Sequence, residues 1–304
     1  MTELVTPTSA DADRIAAVIN SRSLALSGVT EESADGVARW FALPDFDPEA
    51  DMRLAVGASG AAEGYADVSC PEDGTPKAWV DLRVLAEHTE SLGRLFAWAQ
   101  ARGAERVGAG GKIQFFVDGN DRTLPAHLEE AGYVVVRASY EMDRPLDGDL
   151  ETPEWPTGLV PSPFGARDAE AVHAAQDEAF ADHWGYTPSS FERWQAHNLA
   201  PGEDTALWCV VWDGAEVAGV CINRRRRGED DTVGLVDVLA VRRPWRRRGL
   251  GEALLREAFC AFAAAGKRSA SLGVDAENTS GAVALYERVG MHVVRHRDTW
   301  ERTV

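Results

Sequence analysis

Lysine is scarce in this sequence of 304 residues; Lys77, Lys112 and Lys267 are the only three. The other basic side chains are arginines, a base-composition habit of a GC-rich genome. Positive charge is in deficit overall, with 49 acidic against 31 basic residues and a net charge of −18. That excludes nucleic acid as the general partner, since phosphate contacts need positive charge clustered on one face. It suits a small cationic or amine substrate drawn to an acidic surface. Cysteine is sparse too. Cys70, Cys209, Cys221 and Cys260 have no CxxC spacing and no companion histidines. They read as buried thiols of a reducing cytoplasm, neither disulfides nor metal ligands, and no metal is expected. Long apolar runs are missing, and no stretch approaches the roughly 18 apolar residues of a membrane span. The opening Met1-Thr2-Glu3-Leu4 lacks the basic and apolar segments of a signal peptide. What is present is an ordinary globular composition, 45% hydrophobic and 26% charged, in a length that suits two domains.

A weak internal repeat organises the chain. Val5-Thr6-Pro7 before a helix containing Ile15-Ala16-Ala17-Val18-Ile19 matches Val160-Pro161-Ser162 before Ala171-Val172-His173-Ala174-Ala175. Leu54-Ala55-Val56 followed by Gly64-Tyr65-Ala66 matches Val210-Val211-Trp212 followed by Gly219-Val220-Cys221, each pair a hairpin. Val80-Asp81-Leu82 matches Val236-Asp237-Val238, and Leu128 to Tyr133 matches Tyr286 to Met291. The spacing between copies changes after the Val-Asp strand, so the first copy has lost residues in the following turn. The join, residues 143–156, is rich in Pro, Gly and acidic residues and predicts an extended surface linker. We therefore expect domains at 1–145 and 158–304 with a linker at 146–157. Residues 91–102 and 251–264 carry helical spacing, with Gly103 and Gly266 as stops, while residues 134–136 and 270–274 read as short strands. Strands and helices alternate, so each unit is α/β with some parallel pairing.

The second copy runs from a strand at 232–241 through Arg242–Arg248 into a helix opening at Gly249-Leu250-Gly251. The first N–H groups of a helix lack intrahelical partners, and the helix dipole favours an anion there. Glycines let the backbone approach, and arginines offer forked donors to phosphate oxygens. A Walker loop would need Gly-Lys-Ser/Thr, and a dinucleotide fingerprint a third glycine; both are absent. What remains is Arg-x-x-Gly-x-Gly, Arg246 to Gly251, after a Val-x-x-Pro strand end, Val241 to Pro244. The neighbouring run 224–227, followed by Glu229-Asp230-Asp231, reads as a solvated, self-neutralising turn.

Here the sequence resembles the GNAT superfamily of acyl-CoA-dependent N-acyltransferases over essentially all of residues 160–304. Three separated signals carry the resemblance. They are Leu239-Ala240-Val241, Arg246-Arg247-Arg248-Gly249-Leu250-Gly251, and Asn278 followed by Leu285-Tyr286-Glu287-Arg288-Val289-Gly290-Met291. It implies two tandem GNAT-like domains, each a mixed, mostly antiparallel twisted sheet flanked by helices, with a splayed parallel strand pair. It implies acetyl-CoA as cosubstrate. The backbone of Leu239, Ala240 and Val241 would meet the pantetheine arm, and the amides of Arg246 to Gly251 the pyrophosphate. Asn278 would fix the turn beside the cofactor, and Tyr286 would stand near the thioester sulfur. The two-copy layout is similar to the tandem mycothiol synthase family, but Leu235 stands where that family places a glutamate base. That family's substrate is therefore not carried over.

Acyl transfer to an amine needs a proton acceptor, a donor to the oxyanion and a donor to the leaving sulfur. The resemblance assigns the oxyanion donor to an N–H near Val241 and the acid to Tyr286, whose phenol is protonated near neutral pH. Asp237, which period two places on one face with Leu239 and Val241, is either the base or a structural aspartate. His183 is a possible base or an ordinary loop histidine, and Trp184 and Tyr186 would shape an acceptor pocket. The first copy lacks the arginine-glycine loop and has Leu128 in place of the tyrosine, although Asn120 matches Asn278. It is expected not to bind the cofactor. The expected activity is acetyl transfer to a primary amine of a small molecule by a cytoplasmic monomer or homodimer. A protein or peptide N-acetyltransferase and a non-catalytic acyl-CoA sensor are the alternatives.

Overall fold

The computed structural model describes residues 2–43, 46–70, 76–200, 204–225, 227, 230–278 and 281–304. The chain divides into two compact units. One holds residues 1–139 and 295–304, the other residues 140–294.

The first unit contains β1 (Glu3–Val5), α1 (Ala12–Ser27), α2 (Ala34–Trp40) and α3 (Pro48–Asp51). It continues with β2 (Met52–Val56), β3 (Ala62–Ser69), β4 (Lys77–Val84), α4 (Thr89–Val107), β5 (Lys112–Asp118) and α5 (Leu124–Glu130). Strands β1 to β4 pair antiparallel in sequence order, and β4 pairs parallel with β5. Two cores flank the sheet, one under α1 and α2 around Ile15, Ile19, Met52 and Tyr65, the other under α4 around Leu95, Phe96, Ile113 and Phe115. On α4, Leu92, Leu95, Phe96 and Ala99 are buried at helical spacing, as an amphipathic helix on a sheet requires. Gly103, expected to stop this helix, lies inside it. A Cβ there would meet Ile113 at 3.1 Å, so the glycine serves close helix–sheet packing, and α4 stops at Gly108 with φ +68°.

The second unit repeats the plan. It contains β7 (Val160–Pro163), α6 (Ala169–Phe180), α7 (Phe191–Asn198), β8 (Cys209–Asp213), β9 (Glu216–Arg224) and β10 (Val233–Val241). These are followed by α8 (Leu250–Ala264), β11 (Ser269–Asp275) and α9 (Ala282–Arg288). Strands β7 to β10 are antiparallel, and β10 pairs parallel with β11. The core under α6 and α7 holds Val172, Trp194, Trp208 and Val220; that under α8 and α9 holds Leu254, Phe259, Phe262 and Leu272. Truncating a buried phenylalanine such as Phe259 costs about 3–5 kcal/mol.

Two long strands, β6 (Val134–Pro145) and β12 (His292–Thr303), run from one unit into the other. Residues 143–145, the start of the expected join, are strand rather than linker, continuing residues 140–142, of which Met142 is buried in the core of the second unit. Leu146 N–H donates to Arg268 C=O at 2.8 Å. Residues 297–303 of β12 pair antiparallel with β5, and Trp300 enters the core of the first unit. Residues 295–303 of the last strand, expected in the second domain, therefore belong to the first unit. All four cysteines are free thiols; Cys209 and Cys221 are buried, whereas Cys70 and Cys260 are only partly so. Among the described residues no helix is long and apolar enough to cross a membrane.

Candidate active site

The site begins where two strands part. β10 and β11 pair only over Val233–Val236 and Ser269–Leu272, yet run on to Val241 and Asp275. On its other side β10 stays paired with β9 as far as Val241 opposite Gly219. Backbone groups of β10 beyond Val236 thus face the gap without a partner strand, and an extended ligand would satisfy them as an added strand does.

A β-bulge coincides with the parting. Val236 opposes Asn223 and Val238 opposes Ile222, which leaves Asp237 as the extra residue. The bulge shifts the alternation. Val236, Leu239 and Val241 join the core under α8, and Val238 and Ala240 the core under α6. Asp237 consequently does not share a face with Leu239 and Val241, as strict period two predicts. It accepts hydrogen bonds from Arg224 at 3.1 Å, and Arg224 also donates to Asn198 of α7 at 2.8 Å.

Beyond Val241 the chain makes a 3-10 turn, Arg243–Trp245, whose buried Trp245 donates to Asp213 at 2.8 Å. Arg247 follows with φ +62°, the one non-glycine residue in the left-handed region among those described, and Gly249 has φ +85°. Such a conformation costs a non-glycine residue about 1–3 kcal/mol and collects at functional sites. Left-handed residues beside a helix start turn successive N–H groups into one concave anion-binding surface. The first hydrogen bond back into the turn runs from Ala253 N–H to Gly249 C=O, 3.0 Å. Arg247, Arg248 and Gly249 are exposed, and neither arginine has an ion pair among the described residues. Gly251 faces inward, where a Cβ would meet Leu285 at 3.3 Å.

Arg246 is not available in the same way. Its guanidinium donates to Val241 C=O at 3.1 Å and Ala179 C=O at 2.9 Å, and pairs with Asp182 at 3.3 Å. It clamps the loop to the ends of β10 and α6, so its side chain is engaged within the fold. Arg243 also pairs with Asp182, and Arg243 with Arg246 holds the Asp182 carboxyl down to about 2; Arg242 pairs separately with Glu178 at 2.6 Å. No sequence motif marks Asp182 or Glu178; only the excess of arginine in the turn hints that several need internal partners.

Tyr286 lies on α9, 8% exposed. Burial, with the Cys221 thiol beside it, pushes its phenol up to about 12. Its hydroxyl has no hydrogen-bond partner among the described residues. Asn278 sits in the turn after β11, its N–H donating to Asp275 C=O at 3.1 Å. His183 follows α6 and packs on Phe180 with ring centroids 4.5 Å apart. Burial lowers its pKa and Arg246 adds to the effect, while Asp275 and Asp182 oppose it. Trp184 beside His183 is 44% exposed, and the Tyr186 hydroxyl is bound to Asp177. Among the described residues the arginine run makes ion pairs outside its own turn. Arg225 pairs with Asp204, and Arg227 with Glu141 and Asp143 of β6 at 2.7 and 3.1 Å; Arg226 and Glu229 lie outside the described residues. Among the described residues no group of three potential metal ligands occurs.

A parted parallel pair, a bulge and an exposed left-handed turn at a helix start thus stand in one unit, and residues 169–291 match the Acetyltransferase (GNAT) family. A mycothiol acetyltransferase of Salinispora tropica is 30% identical over 240 residues, covering 77% of this chain and 75% of that protein. One of Thermobispora bispora is 32% identical over 174 residues, 55% of this chain, which there spans 59% of the relative's length. A crystal structure of a GCN5-related N-acetyltransferase from Sphaerobacter thermophilus agrees with a TM-score of 0.78 at 29% identity, covering 99% of this chain and 95% of that one. A tandem GNAT protein from the clavulanic acid biosynthesis pathway shares the fold, with a TM-score of 0.72 at 17% identity over 100% of this chain and 98% of the other. The chain belongs to the GNAT acetyltransferase family.

Proposed function

We propose that the protein transfers the acetyl group of acetyl-CoA to a primary amine of a small molecule, by direct attack within a ternary complex. The observation that carries this reading is a conjunction on one unit. An exposed left-handed turn at Arg247 to Gly249 stands beside parted strands, with a buried phenol close by. Acetyl-CoA fits these residues. The N–H groups opening α8, with Arg247 and Arg248, would hold its pyrophosphate. The open backbone of Leu239, Ala240 and Val241 would pair with its pantetheine arm, and Asn278 would brace the opposite turn. When bound, acetyl-CoA supplies an activated thioester.

The chain's own residues then have separable tasks. A backbone N–H near Val241 would donate to the thioester oxygen as charge gathers there. Tyr286 would donate a hydrogen bond to the leaving sulfur. With its phenol up at about 12 and a free thiol near 8.5, full proton transfer from tyrosine to sulfur is uphill. Tyr286 therefore acts as a hydrogen-bond donor, and the proton released by the amine is the one that balances the thiolate. Asp237, at the bulge and within reach of solvent, would take that proton through water. His183 and Trp184 would line the acceptor's approach. The curated relatives carry mycothiol in their names, but Leu235 stands half-buried where the tandem resemblance places a glutamate. The acceptor is accordingly proposed as a class.

The test is release of free thiol from acetyl-CoA with a panel of primary amines. Amine-dependent thiol release is expected. Tight acetyl-CoA binding with no release across the panel would overturn this reading in favour of an acyl-CoA sensor.

A further inference from the structure

Glycines inside strands usually have a packing reason. In β3 a Cβ on Gly64 would meet Leu95 at 2.8 Å; in β9 one on Gly219 would meet Ala240 C=O at 2.9 Å; in β10 one on Gly234 would strike Phe262 at 2.4 Å. Gly273, in the middle of β11, has no such reason. Among the described residues a Cβ built there meets nothing within 4 Å, the residue is exposed, and its backbone is not left-handed. Glycine weakens a strand relative to nearly any other residue, and where nothing in the fold demands it, it marks the close approach of a ligand.

The position says which ligand. Ala270, Leu272 and Val274 enter the core under α8, so Ser271, Gly273 and Asp275 face the opposite side of the sheet. Gly273 is the first residue of β11 beyond its pairing with β10. It thus lies at the reacting end of the gap, on the face that carries Asp237. Ser271 shares that face with Arg227, Glu141 and Asp143, which are bonded to one another there. Among the described residues this polar face also carries Asp237, paired with Arg224, and Asp275 at the end of β11. In the first unit the strand register puts Phe116 at the matching place, four residues beyond Lys112 as Gly273 is beyond Ser269. The bare position is peculiar to the unit with the arginine-glycine turn.

We propose that Gly273 is a specificity-determining residue, kept bare so that the body of a cationic amine acceptor can lie across β11 while its nitrogen reaches the gap. This rests on the acetyl-transfer reading above. The experiment compares the full-length chain with Gly273→Ala and Gly273→Val, using ethylamine, benzylamine and glucosamine as acceptors. Acetyl-CoA affinity is measured by calorimetry and folding by thermal melting. The expected result is a melting temperature equal to or above that of the parent and acetyl-CoA affinity within twofold. kcat/KM should fall at least tenfold more for glucosamine than for ethylamine in Gly273→Val, through KM, with Gly273→Ala between. An equal loss for all three amines, or a loss of acetyl-CoA affinity, would overturn the role of Gly273 and leave acetyl transfer standing. No turnover of any amine by the parent chain, with acetyl-CoA bound, would overturn the acetyl-transfer reading and this inference with it.

Discussion

β4 and β10 each pair in parallel over four residues, Lys77–Val80 with Lys112–Phe115 and Val233–Val236 with Ser269–Leu272, and each pair then ends although its strands continue. The backbone frame of the site therefore exists twice. The difference lies in what fills it. In the first unit Arg83, 6% exposed, bonds Asp81 and reaches Glu31, and Arg295, fully buried, bonds Asp118 at 2.5 Å and Glu31 at 2.6 Å. Against strong burial, Arg83, Arg297 and Arg295 together hold the Glu31 carboxyl far below its usual range. The connection from β4 to α4, residues 85–88, has neither glycine nor arginine; it contains Glu87 and is followed by Glu90, and both would repel a phosphate. Where the second unit has Tyr286, the first has Leu128, fully buried in the core. A duplicated frame is no sign of a duplicated site: the turn, the phenol and the open space must each be present.

The largest expected effect tests the filling. Arg295→Ala leaves two buried carboxylates short of a partner, and the first unit should lose about 3–5 kcal/mol; denaturant unfolding that shows no loss would make the ion cluster incidental. Next comes the turn. Gly249→Glu gives the second unit the acidic, non-glycine character of the first. It places a side chain at φ +85° and a carboxylate at the anion surface. Acetyl-CoA affinity should fall about 100-fold, roughly 2.7 kcal/mol; calorimetry with unchanged affinity would contradict the loop assignment. Tyr286→Phe should lower kcat about 10- to 50-fold with acetyl-CoA affinity retained, about 1.4–2.3 kcal/mol in the barrier. Steady-state rates equal to the parent's would remove the phenol from the reaction.

The smallest effect lies in the first unit. Burial, then the negative charges of Glu31 and Asp81, push Glu32 up to about 7. A carboxyl raised in the fold binds its proton more tightly there than unfolded, so its contribution to stability declines as pH climbs from about 4.5 to about 7. Glu32→Gln should abolish that decline and stabilise the protein by on the order of 1 kcal/mol above pH 7. Parallel pH–stability curves for variant and parent would show that Glu32 is not the group responsible.

Much of this was legible in the sequence because it depends on local signals. The repeat, the hairpins, the strand leading into Gly249-Leu250-Gly251 and the absence of the turn from the first copy follow from residue type and spacing. The bulge at Asp237 was not legible: an extra residue is defined by the partner strand, and alternation alone cannot reveal it. Gly103 reads as a helix stop because its packing partner, Ile113, is distant in sequence until the sheet forms. The side chain of Arg246 reads as a ligand group because the carbonyls it holds, Val241 and Ala179, come together only in the fold. The 143–145 segment reads as linker from its composition, whereas its place as strand is set by β11 far along the chain.

The route of the last strand bears on how the protein is made. Residues 297–303 lie along β5, and Trp300 and Arg295 are part of the interior of the first unit. That unit is begun first on the ribosome and can be finished only after residues 140–294 have been synthesised. Its nascent form carries β5 with an unpaired edge throughout, a stretch of translation during which a chaperone would have an exposed strand to recognise.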